Sequence, residues 1–332
     1  MAKPLALTMG EPAGIGGELT LQAWREAQRG KLPTFFVVDD ASRLARLAEC
    51  LNWQVDVREI DAPEQAEEVF PDALPVWPLA VGEEVTPGKP DAATANSVIA
   101  SIEHAVSAVR TKRAAAVVTN PIQKSALAAG GFSHPGHTEF LAALDEASHP
   151  PVMMLAIDEL KVVPVTIHMP LRKVADQLTT AAIVHAGTVT AEALTRDFGI
   201  ASPRIAVSGL NPHAGEGGLL GQEEHAVIEP AIEALAEKGY NVTGPFAADS
   251  LFHESARHTY DVALCMYHDQ ALIPLKTLDY HNGVNVTLGL SFIRTSPDHG
   301  TALDIAGRGT ADPRSLLAAL RTAARMAEQR SH

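Results

Sequence analysis

An α/β fold with a largely parallel sheet is what this sequence predicts, on two observations. Short apolar runs of strand length alternate with amphipathic helical stretches from one end of the chain to the other. The composition agrees: 332 residues, 46% hydrophobic and only 20% charged, suffice for two domains of ordinary size or one large α/β unit.

Taken in order, residues 5–8 read as a first strand running into Gly10-Glu11-Pro12-Ala13-Gly14-Ile15-Gly16-Gly17. A helix carrying Leu19, Leu21 and Trp24 follows. Such a turn serves either as an anion cradle of backbone N–H groups or as a purely structural turn. Residues 34–38 form a second strand, 41–51 a helix, and 54–60 a third strand by period-two alternation. After a polar Gly/Pro connection at 80–90, Asp91 caps a long helix to Val109, with Ile99, Ile102, Val106 and Val109 on one stripe. Residues 114–118 are a buried strand ending at Thr119-Asn120-Pro121, with Lys124 in the next turn. Thr138 is the expected cap of a helix through Leu144.

The second half repeats one arrangement three times. Apolar runs at 161–167, 204–210 and 261–267 end at His168, at Asn211-Pro212-His213 and at His268. A last helix, 314–328, follows Asp312-Pro313. In open α/β sheets ligands bind beyond the carboxyl ends of the strands, so three histidines at three such ends are expected to converge. Three imidazoles with an open position suit a catalytic zinc or another borderline divalent cation.

The stretch from 262 to 313 carries much polar chemistry among strand-like residues. Lys276, Asn285 and Arg294, with His137 and Thr138, make an anion set of two fixed cations and neutral donors. The loop 215–221 nearly mimics a dinucleotide fingerprint, but its third glycine is displaced by one; it is expected to be a flexible loop closing over the site. No complete Rossmann fingerprint occurs.

Other classes are excluded by composition. A formal charge of −14 without a Lys/Arg run argues against nucleic acid. No apolar run approaches the roughly 18 residues of a membrane span, and MAKPLALTMG lacks a signal-peptide pattern, so a cytoplasmic protein is expected. Cys50 and Cys265 read as reduced core thiols.

Five motifs in order, spread over nearly the whole chain, carry a family resemblance. They are Gly10-Glu11-Pro12-Ala13-Gly14-Ile15-Gly16, Gly136-His137-Thr138-Glu139-Phe140, Asn211-Pro212-His213-Ala214-Gly215-Glu216-Gly217, Tyr267-His268-Asp269-Gln270 and Asp298-His299-Gly300-Thr301-Ala302. On them the sequence resembles the 4-hydroxythreonine-4-phosphate dehydrogenases of pyridoxal phosphate biosynthesis. The resemblance implies an isocitrate/isopropylmalate dehydrogenase-like fold of two α/β domains with an interdomain cleft. The first would be 1–130 plus 290–332, with the cofactor loop; the second, 131–289, would serve metal, substrate and dimerisation.

It further implies that His168, His213 and His268 bind a divalent metal, with zinc favoured over magnesium or cobalt. Two of them would come from one subunit and one from its partner, making a homodimer with a shared active site. His137, Thr138, Lys276, Asn285 and Arg294 would contact a phosphorylated small-molecule substrate, and Asp249 would lie near it. His299, Gly300, Thr301, Ala302 and Asp304 resemble an adenosine-binding loop, where Asp304 would accept from ribose hydroxyls and repel a 2′-phosphate, favouring NAD over NADP. The implied reaction oxidises 4-phosphohydroxy-L-threonine to 2-amino-3-oxo-4-(phosphooxy)butanoate, which loses CO2 to give 3-amino-2-oxopropyl phosphate. Lys276 is the candidate general base, with a bound water as its competitor.

The chain departs from commoner family versions at Thr119-Asn120-Pro121-Ile122-Gln123-Lys124, which bears on substrate specificity. The alternatives are a sister dehydrogenase acting on a sugar-acid phosphate or a cis-dihydrodiol, and a non-redox phosphate acyltransferase on the same scaffold.

Overall fold

The computed structural model describes residues 3–30, 32–134, 136–147 and 149–331. The chain divides into two compact units, 1–150 with 290–332, and 151–289. The boundary thus falls after residue 150, where the sequence reading has it after residue 130.

The first unit holds β1 (Leu5–Thr8), β2 (Phe35–Asp39), β3 (Val57–Glu59), β4 (Leu74–Pro78), β5 (Val117–Val118) and, late in the chain, β12 (Arg294–Pro297). Their order is β3-β4-β2-β1-β5-β12, and every pair is parallel. Parallel strands covered on both faces read as unbroken apolar runs, and Phe35 to Val38 have no exposed surface. Each buried Phe contributes roughly 1.5–3 kcal/mol. Helix Ala41–Cys50 starts where Asp40 accepts from the Arg43 backbone N–H at 2.9 Å. Helix Ala95–Arg110 is tied to the sheet by Ser101, whose Oγ donates to the Val38 carbonyl and accepts from Met9 N.

The second unit holds β6 (Val152–Ile157), β7 (Leu160–Thr166), β8 (Arg204–Ser208), β9 (Asn241–Phe246), β10 (Val262–Tyr267) and β11 (Val284–Leu288), in the order β11-β6-β7-β10-β8-β9. Most pairs here are parallel too, as expected, with β6 as the exception. β6 runs antiparallel to both β7 and β11, because only Asp158 and Glu159 separate β6 from β7, and so short a connection permits only a hairpin.

Local expectations fail mostly at element ends. The third strand shrinks to Val57–Glu59 and the fifth to Val117–Val118. Asp91 caps a short 3-10 turn, Ala92–Thr94, that leads into the long helix. Thr138 is no cap: helix His137–Asp145 starts one residue earlier, after an extended Gly136. Cys265 is buried as expected, but Cys50 is exposed, since the last turn of its helix faces solvent.

Candidate active site

In the second unit β10 lies between β7 and β8. Tyr267, the last residue of β10, is level with Thr166, the last of β7, so the residues just beyond these ends are neighbours. His268 and His168 follow there, with ring centroids 5.9 Å apart. Both line a pocket of about 350 Å³ with Thr166, Tyr267 and Asp269. His168 is held at φ +24, a conformation a non-glycine residue rarely adopts. Nδ1 of His268 sits 2.7 Å from a carboxylate oxygen of Asp269. That contact puts the ring proton on Nδ1 and leaves the Nε2 lone pair for a cation. Two imidazoles so arranged fit a borderline divalent metal as two of its ligands.

His213 does not join them. Among the described residues, no three His, Cys, Asp or Glu side chains of one protomer gather as a metal site. β8 ends at Ser208, two places short of the end of β10. The chain then enters a left-handed segment in which His213, Ala214, Gly215, Glu216 and Gly217 all have positive φ. For the non-glycine members this costs about 1–2 kcal/mol per residue, so something must hold it. Glu224 does: its Oε1 accepts from Leu210 N and Asn211 N, both at 2.8 Å, and its Oε2 from Asn211 Nδ2 at 2.9 Å. Gln270 closes the other side by donating to the Gly209 carbonyl and accepting from Met266 N. The segment leading into the loop at 215–221 is therefore pinned at 209–211 and presents an exposed His213.

The remaining second-unit candidates are Lys276, Asn285 and Asp249. Lys276 lies on helix His268–Leu278 with Nζ 5.6 Å from the Tyr280 ring centroid. Asn285, on β11, has a buried Oδ1 with no hydrogen-bond partner among the described residues. Such an atom costs free energy until a donor fills it. Asp249 is exposed on the short helix Ala248–Leu251, which touches the His213 segment.

The first unit gathers its own polar set. Arg294 is buried on β12 and donates from Nε and Nη2 to Thr119 Oγ1, at 3.2 and 2.6 Å. Burial pulls its pKa down to about 10, which leaves it a cation at neutral pH. His137 is held well below the usual imidazole range by burial and then by the charges of Arg294 and Lys124. Its Nε2 is enclosed and has no hydrogen-bond partner among the described residues. Two cations and a neutral imidazole are thus near one another, a charge set that favours an anion. Lys124 and Thr119 were not among the predicted site residues, although Thr119-Asn120-Pro121 at a strand end followed by a lysine was the available signal. Thr138, in the first turn of its helix, is half-buried.

The loop His299, Gly300, Thr301, Ala302 and Asp304 rests on the Gly-rich loop near residue 14. Ile15 N donates to the Thr301 carbonyl at 3.1 Å, and a Cβ on Gly14 would lie 2.9 Å from that oxygen. Thr301 Oγ1 donates to Gln123 Oε1 at 3.0 Å, and Asp298 N to Ser315 Oγ at 2.9 Å. Gly14 is therefore a seat for this loop rather than part of a free anion cradle, while Gly16 gives room to Met9 and Asn120. His299 Nε2 is enclosed without a hydrogen-bond partner among the described residues, while Gly300 and Asp304 are exposed.

Residues 31–323 match the family model described as pyridoxal phosphate biosynthetic protein PdxA. A 4-hydroxythreonine-4-phosphate dehydrogenase of Bradyrhizobium diazoefficiens is 54% identical over 98% of this chain and 97% of that protein. Among solved structures, the 4-hydroxythreonine-4-phosphate dehydrogenase of Klebsiella pneumoniae superposes with a TM-score of 0.90 at 39% identity, covering 98% of each chain. A terephthalate 1,2-cis-dihydrodiol dehydrogenase of Burkholderia xenovorans superposes with a TM-score of 0.66 at 30% identity, again over 98% of each chain.

Proposed function

The chain belongs to the PdxA family of pyridoxal phosphate biosynthetic proteins and is an oxidoreductase of the 4-hydroxythreonine-4-phosphate dehydrogenase class, and from that premise we propose how its residues carry the reaction. The substrate is 4-phosphohydroxy-L-threonine and the oxidant is NAD, met by His299, Gly300, Thr301, Ala302 and Asp304. The observation that carries the substrate class is the buried Arg294, beside Thr119 and charge-coupled to His137, as is Lys124. A phosphate is drawn by the charges of Arg294 and Lys124, and its protonated or ester oxygens meet the Nε2 of His137, which has no partner among the described residues. The family resemblance adds Asn285, Lys276 and Thr138 to the residues that contact the substrate.

His168 and His268 hold a divalent cation, zinc by donor chemistry, with the partner subunit contributing the third imidazole, His213. When bound, the metal supplies Lewis-acid polarisation of the reacting oxygen. Lys276 would take the hydroxyl proton, and the nicotinamide of NAD, held by residues 299–304, would supply the hydride acceptor. The resulting β-keto acid breaks its bond to the carboxylate, CO2 departs, and the electron pair left on carbon takes up a proton. Asp249, on the helix that touches the His213 segment, is a further catalytic candidate near the substrate.

A homodimer follows from the same division of ligands. It is supported by the placement of exposed apolar side chains: among the described residues, all the large ones, including Leu171, Leu219, Ile273 and Tyr280, lie in the unit that carries the three histidines.

A substrate panel tests the substrate. With NAD and zinc present, 4-phosphohydroxy-L-threonine is expected to turn over, and a cis-dihydrodiol or a sugar-acid phosphate at least a hundredfold less efficiently. The reverse ranking would reassign the site to the sister activity of the dihydrodiol dehydrogenase.

A further inference from the structure

Glu18 stands in the first turn of helix Gly16–Arg29 and has no exposed surface. A carboxylate so placed is tolerated only if its oxygens are filled. Oε1 accepts from the backbone N–H of Gly307 and Oε2 from that of Gly309 at 2.9 Å; the Arg308 N–H between them also faces the carboxylate while donating to the Ile305 carbonyl at 3.2 Å. Successive backbone N–H groups turned onto one anion form a nest, the device that elsewhere receives phosphates. Gly307 and Gly309 hold φ at +78 and +68, a region that other residues enter only with strain. A Cβ at these positions would also lie 2.8 Å from Pro87 Cβ and 3.1 Å from Trp53 Cζ2. Both glycines are thus required to shape the receptor for this one side chain.

We propose that Glu18 is the positioning residue of the dinucleotide loop. Its carboxylate fixes residues 307–309 and so sets residues 299–304 to meet the adenosine of the cofactor. Because the chain's own carboxylate fills the nest, the cofactor's pyrophosphate is held elsewhere. This rests on the assignment of NAD to the loop. The other end of the loop is tied independently, by Asp298 N to Ser315 Oγ, so loss of Glu18 loosens the loop without detaching it.

The test compares Glu18→Gln with wild type and with Glu26→Gln, an exposed change on the same helix whose partner is Arg29. NAD affinity is read by calorimetry and turnover at saturating NAD. In Glu18→Gln the carboxamide NH2 opposes a backbone N–H, so the Kd and KM for NAD are expected to rise at least tenfold. kcat is expected to stay within threefold, and Glu26→Gln to match wild type. Equal NAD affinity in Glu18→Gln and wild type would overturn the proposal; a purely structural role would lower stability without this split.

Hydrogen exchange on wild type without NAD covers the case of a variant that does not fold. The amides of Gly307 and Gly309 are expected to exchange at least a hundredfold slower than that of exposed Gly300. Equally fast exchange would refute the clamp. If wild type binds no NAD while these amides are protected, the cofactor assignment fails rather than the clamp, and the purpose given to Glu18 falls with it.

Discussion

At His137, burial and two nearby cations act together against protonation. An unfolded chain takes up this proton near the ordinary value of 6.5, whereas the folded chain does not. The stability contribution is therefore fully present above that value and is lost as pH falls below it. The dependence is limited to about 1.4 kcal/mol per pH unit for one group. Urea midpoints followed downward from neutral pH are expected to fall less steeply in His137→Gln than in wild type; identical slopes would mean His137 titrates normally. At Arg294 the requirement is geometric, since a lysine brings charge but not the guanidinium fork. Arg294→Lys is expected to lower kcat/KM for the phosphorylated substrate tenfold to a hundredfold, the equivalent of losing one charge-assisted hydrogen bond of about 1.5–3 kcal/mol. Unchanged kinetics would remove Arg294 from the phosphate site.

The elements owe their placement to a few buried polar ties. Ser101→Ala strips a donor from the Val38 carbonyl and an acceptor from Met9 N. It is expected to cost about 1–3 kcal/mol in a denaturant melt, because both groups are buried. Glu224→Ala releases three donors of the His213 segment. That segment is expected to relax from its left-handed form, weakening zinc in a chelator competition at least tenfold while the circular dichroism of the strands is retained. Strands and helices were legible in the sequence wherever burial is continuous, as in Phe35 to Val38. The strand ends that lead to His168 and His268 were legible too, because an apolar run that stops at a polar residue marks the carboxyl edge of a sheet. The turn from β6 into β7 was not: Asp158 and Glu159 lack the glycine that announces a hairpin. Nor was the left-handed path that begins at His213, just before the stretch 215–221 that the sequence suggested as a flexible loop. Its conformation is set by Glu224, more than ten residues away, and no local pattern reports such a tie.

Across the whole molecule, metal, substrate and assembly are expected to depend on one another. The three histidines and the exposed apolar side chains occupy one unit, so a charge placed among the latter should disturb both assembly and metal. Ile273→Asp is expected to run as a monomer in size-exclusion chromatography and to lose zinc in proportion. A dimer that keeps zinc would place the interface elsewhere. The formal charge of −14 is no obstacle to an anionic substrate, since the buried Arg294 and the exposed Lys124 both act on His137 and supply a local positive field. The most direct measurement is NADH formation from 4-phosphohydroxy-L-threonine and NAD by purified protein, before and after chelation and after zinc is restored. NADH that disappears with chelator and returns with zinc is the predicted result. NADH production that persists undiminished after complete metal removal would contradict the account.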